Sequence, residues 1–158
     1  MVSVSIEDKI QMNPIGFVQR EKPDEDVKDR RIISRVVLDA KFSDGLSGVD
    51  EFSHIYIIFW LNKVEQADIG TLERHVFGDP KLPLVGIFAT RSPTRSNPIG
   101  QTLVELIRRQ DNTLWVRGLD AYDGTPVLDI KPYPDWERGQ WIVVKDFRAP
   151  DWLRNINK

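Results

Sequence analysis

The chain has 158 residues, 41% apolar and 29% charged, the balance of a globule long enough to bury a core without disulfides or metal staples. It has no cysteine and only two histidines, His54 and His75, which excludes disulfides, thiolate zinc sites, cysteine nucleophiles and a histidine-rich metal centre. A net charge of −2 argues against coating nucleic acid by bulk charge and leaves open recognition through a local patch.

In chain order, the opening MVSVSIEDKI lacks the basic start and apolar core of a signal peptide. The longest apolar run, residues 55–61, is too short to cross a bilayer. A cytoplasmic protein with no membrane partner is expected. Residues 1–11 read as an arm or added edge strand, ahead of one domain over residues 12–158. Residues 15–18 predict a first strand, and the charged run EKPDEDVKDRR, residues 21–31, a solvated loop. Residues 32–38 predict a strand buried mainly on both faces, with Arg35 near an edge or pointing into a site.

Gly45 and Gly48 mark turns in residues 41–51, with a short helical turn. FSHIYIIFWL, residues 52–61, is β-branched and aromatic enough for a central strand. On it His54 is either a structural histidine or a catalytic one. Residues 63–83 suggest one short helix and a Gly-Asp-Pro turn; residues 84–90 predict another strand. Residues 102–109 and 113–117 predict a hairpin turning at Gln110, Asp111 and Asn112, and residues 127–130 a last strand. Trp136, Trp141 and Trp152 cluster in the tail. Many short strands with Gly and Pro turns and little helix indicate a mainly β barrel or sandwich.

Two segments do not read as packing. TRSPTRSNPIG, residues 90–100, crowds arginines, hydroxyls and an asparagine into a loop stiffened by Pro93 and Pro98. Such a rigid donor-rich loop suits an anion or nucleotide, because little entropy is lost on binding and guanidinium forks match carboxylate and phosphate. A solvated polar loop is the alternative. GLDAYDGTPVLDIKPY, residues 118–133, carries Asp120 and Asp123 around an Asp-Gly turn, so one of them can serve the backbone alone. The pair lacks calcium-loop spacing, and no metal is expected. No G-x-G-x-x-G, P-loop or G-x-S-x-G element is present.

GIFATRSPTRSNPIG, residues 86–100, resembles the TsaA/TrmO-like family signature G-x-F-A-T-R-S-P-x-R-P-N-P-I-G. GLDAYDGTPVLDIKPY, DEFSHIYIIFWL and PIGFV resemble further blocks of that family, over residues 13–135. The resemblance implies a single compact TsaA-like β-barrel with short helices. It also implies a homodimer that uses S-adenosylmethionine to methylate the N6 nitrogen of threonylcarbamoyl-adenosine beside a tRNA anticodon. By the same resemblance Arg91, Gln101, Asn62, Lys63, Asp120, Ala121, Tyr122 and Asp123 contact the cofactor.

For the chemistry, Asp120, Asp123 or His54 is the candidate base, and Arg95 the partner of a threonyl carboxylate. A basic surface for tRNA would draw on Arg30, Arg31, Arg35, Arg108, Arg109, Lys145, Arg148 and Arg154. Thr94 stands where the family usually has histidine, Ser96 where it has proline, Gln101 where leucine is common, and Asp29-Arg30-Arg31 where Pro-Arg-Gln is expected. An S-adenosylmethionine-binding protein without RNA methylation, and a small-molecule methyltransferase, remain the alternatives.

Overall fold

Strand formation follows the period-2 burial of apolar residues. In the computed structural model, which describes residues 10–133 and 148–154, eight strands form: β1 (Gly16–Gln19), β2 (Ile33–Leu38), β3 (His54–Trp60), β4 (Glu73–His75), β5 (Leu84–Gly86), β6 (Ile99–Gln110), β7 (Thr113–Arg117) and β8 (Pro126–Pro132). A short helix α1 (Asp151–Arg154) and several 3-10 turns complete the described elements. Along β3, Ile55, Ile57 and Phe59 are buried while His54, Tyr56, Ile58 and Trp60 turn outward.

Six strands close into an antiparallel barrel in the order β1-β2-β7-β6-β3-β8, and β4 and β5 make a separate two-stranded ribbon. The interior is filled by Val18, Val36, Ile55, Ile57, Val104 and Val116 with their buried neighbours, a packed core of branched side chains rather than a pore. The seam between β1 and β8 is brief, Gly16 opposite Val127 and Phe17 opposite Pro126. Gly16 is required there: a Cβ would lie 2.2 Å from the Val37 carbonyl oxygen of β2. The β3–β8 register skips at Ile58/Phe59, a bulge that bends the sheet where β3 approaches its last residues.

The mainly β barrel is as expected, with several local differences. β2 is buried on one face, through Ser34, Val36 and Leu38. Arg35 lies between β1 and β7, not at an edge, and pairs outside with Glu21 at 3.2 Å. The strand expected over residues 84–90 stops at Gly86 and becomes a 3-10 turn, Ile87–Ala89. The closed barrel offers it no free edge, so it pairs with β4 instead. β6 begins at Ile99, taking the end of the arginine loop into the sheet.

The turn is confined to Asp111 and Asn112, with Asp111 at φ 51°, because Gln110, expected in the turn, ends β6 opposite Thr113. β8 reaches both flanking prolines, tolerated at its first and last positions. Ile10 and Gln11 are exposed and outside any strand, whereas residues 1–9 and the tail with Trp136, Trp141 and Lys145 lie outside the described residues. Among the described residues no helix is long and apolar enough to cross a membrane.

The seam makes a stability prediction. Gly16→Ala, forced against backbone, is expected to cost at least about 1–3 kcal/mol. Gly45→Ala, with open space around its Cβ, should stay within about 0.5 kcal/mol of the parent. Urea unfolding of both variants checks this, and equal midpoints would remove the seam's strict need for glycine.

Candidate functional site

Antiparallel pairing decides which loops meet. Trp60 faces Ile99, Ile33 faces Arg117, and β1 runs antiparallel to both β2 and β8. The ends of β1, β3 and β7 and the starts of β2, β6 and β8 therefore surround one mouth of the barrel. There a cleft of about 630 Å³ opens, within the range of small-molecule sites. Asn62, Lys63, Arg91, Gln101, Asp120, Ala121 and Tyr122, assigned to a cofactor from the sequence, all line it. A second recess of about 490 Å³, bounded by Arg30, Tyr56 and Leu103, shares Arg91, Gln101 and Thr102 with it.

Several polar groups at the mouth are held by groups on other segments. Asp120 accepts from the Thr102 hydroxyl of β6 and, at 3.3 Å, from Arg30, whose other terminal nitrogen donates to the Gly118 carbonyl at 2.6 Å. Arg91 donates to the Gln101 carbonyl. The Lys63 ammonium lies 5.0 Å from the centre of the Tyr122 ring and 2.7 Å from Asp24.

Three sequence expectations are corrected or divided. His54 starts β3, at the far end of the barrel and on its outer face, about 20 Å of strand from the mouth. Its Nδ1 meets the Ser53 hydroxyl at 2.9 Å, and it does not reach the cleft. Asp123 is outside the cleft lining. It accepts from the Arg20 amide at 2.8 Å while its own amide donates to Asp24 at 2.9 Å, so it is the aspartate that serves the backbone. Arg95 does border the cleft, but its Nη1 donates to the carbonyls of Thr90 at 2.9 Å, Ile87 at 3.3 Å and Ser92 at 3.5 Å. Through Nη1 it knots the arginine loop together while the residue still borders the cleft.

Sequence reasoning missed several contributors. Arg74 of β4 lines the cleft and donates at 3.1 Å to the buried Thr94 hydroxyl, which also bonds the Ser92 hydroxyl at 3.1 Å. The residue at position 94 thus ties the ribbon to the arginine loop. The charged run read as solvent-facing supplies Val27 and Lys28 to the cleft and Asp24 as a clasp. Its signal was position rather than composition: a connection between β1 and β2 must cross the mouth. Arg20, at the end of β1, is buried, with Nη1 3.4 Å from the Ser34 hydroxyl and the Leu119 carbonyl and Nε 3.9 Å from Asp24.

Asp24 has the clearest electrostatics. The Lys63 ammonium first, then the Asp123 amide, hold its carboxyl below the ordinary value of 3.8. A depressed folded-state pKa stabilises the native state above the unfolded value, and that gain is lost as pH falls through the lowered one. Asp24→Asn, discounted for partial exposure, should cost about 1 kcal/mol near neutral pH. Its difference from the parent should shrink as pH falls below 3.8 and through the lowered folded-state value, which denaturation across a pH series tests; a difference that did not shrink in acid would exclude the charge as its origin.

Comparison with known proteins bears on what the cleft holds. The family model described as the tRNA-methyltransferase O N-terminal domain matches residues 17–136. A probable S-adenosyl-L-methionine-binding protein of Pyrococcus abyssi is 38% identical over 155 residues, covering 92% of this chain and 77% of its own. A tRNA (adenine(37)-N6)-methyltransferase of Mus musculus is 41% identical over 102 residues, 63% of this chain and 23% of its own. A crystal structure of TrmO from Pseudomonas aeruginosa is similar with a TM-score of 0.65 and 28% identity, covering 89% of this chain and 62% of that one. This chain therefore spans under two thirds of that solved protein.

Proposed function

Because this chain belongs to the family of the tRNA-methyltransferase O N-terminal domain, we propose that it is an S-adenosylmethionine-dependent methyltransferase. Its acceptor, on this reading, is the N6 nitrogen of threonylcarbamoyl-adenosine beside a tRNA anticodon. The observation that carries the proposal is convergence. Residues 62–63, 91, 101 and 120–122, distant in sequence, border a single cleft of about 630 Å³.

The side chains present fit the cofactor's chemistry. Arg91, Lys63 and Lys28 suit a carboxylate, Asp120, Glu65 and Asp68 an ammonium, and the Asn62 and Gln101 amides a purine edge. Tyr122 offers an aromatic face to a cation or a base. When bound, S-adenosylmethionine supplies an electrophilic methyl group on a sulfonium centre. Transfer forms an N–C bond and breaks a C–S bond, so the acceptor must also lose its N–H proton.

The protein's share is placement and proton removal. Asp120 is the proposed proton acceptor: Thr102 and Arg30 fix its carboxylate, which keeps further lone pairs for the cleft. Orienting two reactants in adjoining spaces is where most of the acceleration arises, and the contiguous recess beside Arg91 and Gln101 suits that need. The protein works, on this reading, in the cytoplasm as a homodimer. Archaeal relatives named only as S-adenosyl-L-methionine-binding proteins favour a second reading, cofactor binding without RNA methylation.

Calorimetry with S-adenosylmethionine is expected to show binding, weakened at least about tenfold in Arg91→Ala. Nucleoside mass spectrometry of tRNA treated with protein and labelled cofactor should reveal a methylated threonylcarbamoyl-adenosine. Asp120→Asn should lower that yield about 100-fold or more. No cofactor binding by the parent chain would sink the proposal, and binding with unmodified RNA would select the second reading.

A further inference from the structure

The barrel keeps its large apolar residues inside, whereas the β4–β5 ribbon presents its own to solvent. Leu72, Phe77, Leu84 and Phe88 are 71%, 71%, 55% and 79% exposed, all within or beside the ribbon. Phe77 stands at φ 54°, ψ 14°, the left-handed region that bulky side chains avoid. A strained backbone that holds an aromatic ring out into water points to a use for the ring.

The surroundings of these rings select the partner. The Arg95 guanidinium lies 5.8 Å from the centre of the Phe88 ring. Arg74 rises from the ribbon to the cleft, so the ribbon forms part of the cleft's rim. Residues 72–95 hold four Lys and Arg against two Asp and Glu, a net of +2 within a chain of net −2. Aromatic residues and Arg are enriched at protein interfaces too, so the selection rests on the local excess of positive charge, which with exposed rings matches surfaces that stack unpaired bases and attract phosphates.

We propose that the β4–β5 ribbon is a base-stacking platform, with Phe77 and Phe88 holding unpaired nucleotides that flank the acceptor nucleoside. The proposal rests on the RNA-acceptor reading above and adds a surface to it. Neither ring lines the cleft, so base stacking and cofactor binding are separable.

The test uses the full chain and a fluorescently labelled anticodon stem-loop RNA. Its anisotropy is read for the parent, for Phe77→Ser/Phe88→Ser, for the paired Leu variant and for the paired Tyr variant. Calorimetry with S-adenosylmethionine on each reports the integrity of the cleft. The Ser and Leu pairs should each weaken RNA binding by roughly 10- to 100-fold, the Tyr pair should retain it, and cofactor affinity should not change. The salt dependence of RNA binding should also stay the same, because no phosphate contact is removed. RNA binding by the parent with equal binding by the Ser or Leu pair overturns the platform and leaves the acceptor reading intact. No RNA binding by the parent overturns both. A Ser pair that sediments at a lower mass than the parent makes the ribbon a contact between copies of this chain, which also overturns the platform.

Discussion

Closure of the barrel through β1 is the constraint from which the rest of the structure follows. This four-residue strand joins β2 on one side and β8 on the other, and its seam with β8 is two residue pairs long. Flanking backbone bonds lengthen the grip, from the Ile15 amide to Val127 at 2.8 Å and from the Val18 amide to Thr125 at 2.9 Å. Closure removes free sheet edges and leaves each barrel strand's backbone paired on both sides. It also leaves no place in the sheet for the segment after Pro83, which explains why β5 departs to form a ribbon with β4.

The same closure gathers polar groups at one mouth, where they support one another across loops. Arg20 is the buried cation of this set, and Asp24 is its nearest carboxylate at 3.9 Å. Asp24 then reaches Lys63 and the Asp123 amide, so a single side chain joins the connections that follow β1, β3 and β7. The mouth is thus a partly braced frame. Lys63, Arg91 and Asp120 of the cleft lining are each held by a group on another segment, while the buried Nε and Nη2 of Arg20 have no hydrogen-bond partner among the described residues. Methyl transfer asks for such a frame, since its acceleration comes mainly from orientation.

The arginine loop illustrates how a motif and its geometry diverge. Its two arginines are equivalent as letters. Yet Arg91 stands at the junction of both recesses, anchored by one bond to Gln101, while Arg95 turns one nitrogen onto three carbonyls of its own loop. Thr94 is buried and carries the link to Arg74, so it helps fix the ribbon against the cleft.

What was legible in the sequence was local. Alternating burial in ISRVVL and HIYIIFW, the Asp111-Asn112 turn and the long motif ending in Asn-Pro-Ile-Gly each lie within a dozen or so neighbours. They sufficed for a mainly β chain, a central β3 and a hairpin, and the family resemblance pointed to eight residues of which seven line one cleft. His54, Asp24 and Arg20 were not legible. Their roles depend on which strand ends share a mouth, through contacts such as Arg20 to Asp123, 103 residues apart. Side-chain period and turn chemistry are properties of neighbouring residues and can be read in order. Strand order in a closed barrel arises from long-range pairing, and only the folded chain decides which charges become partners.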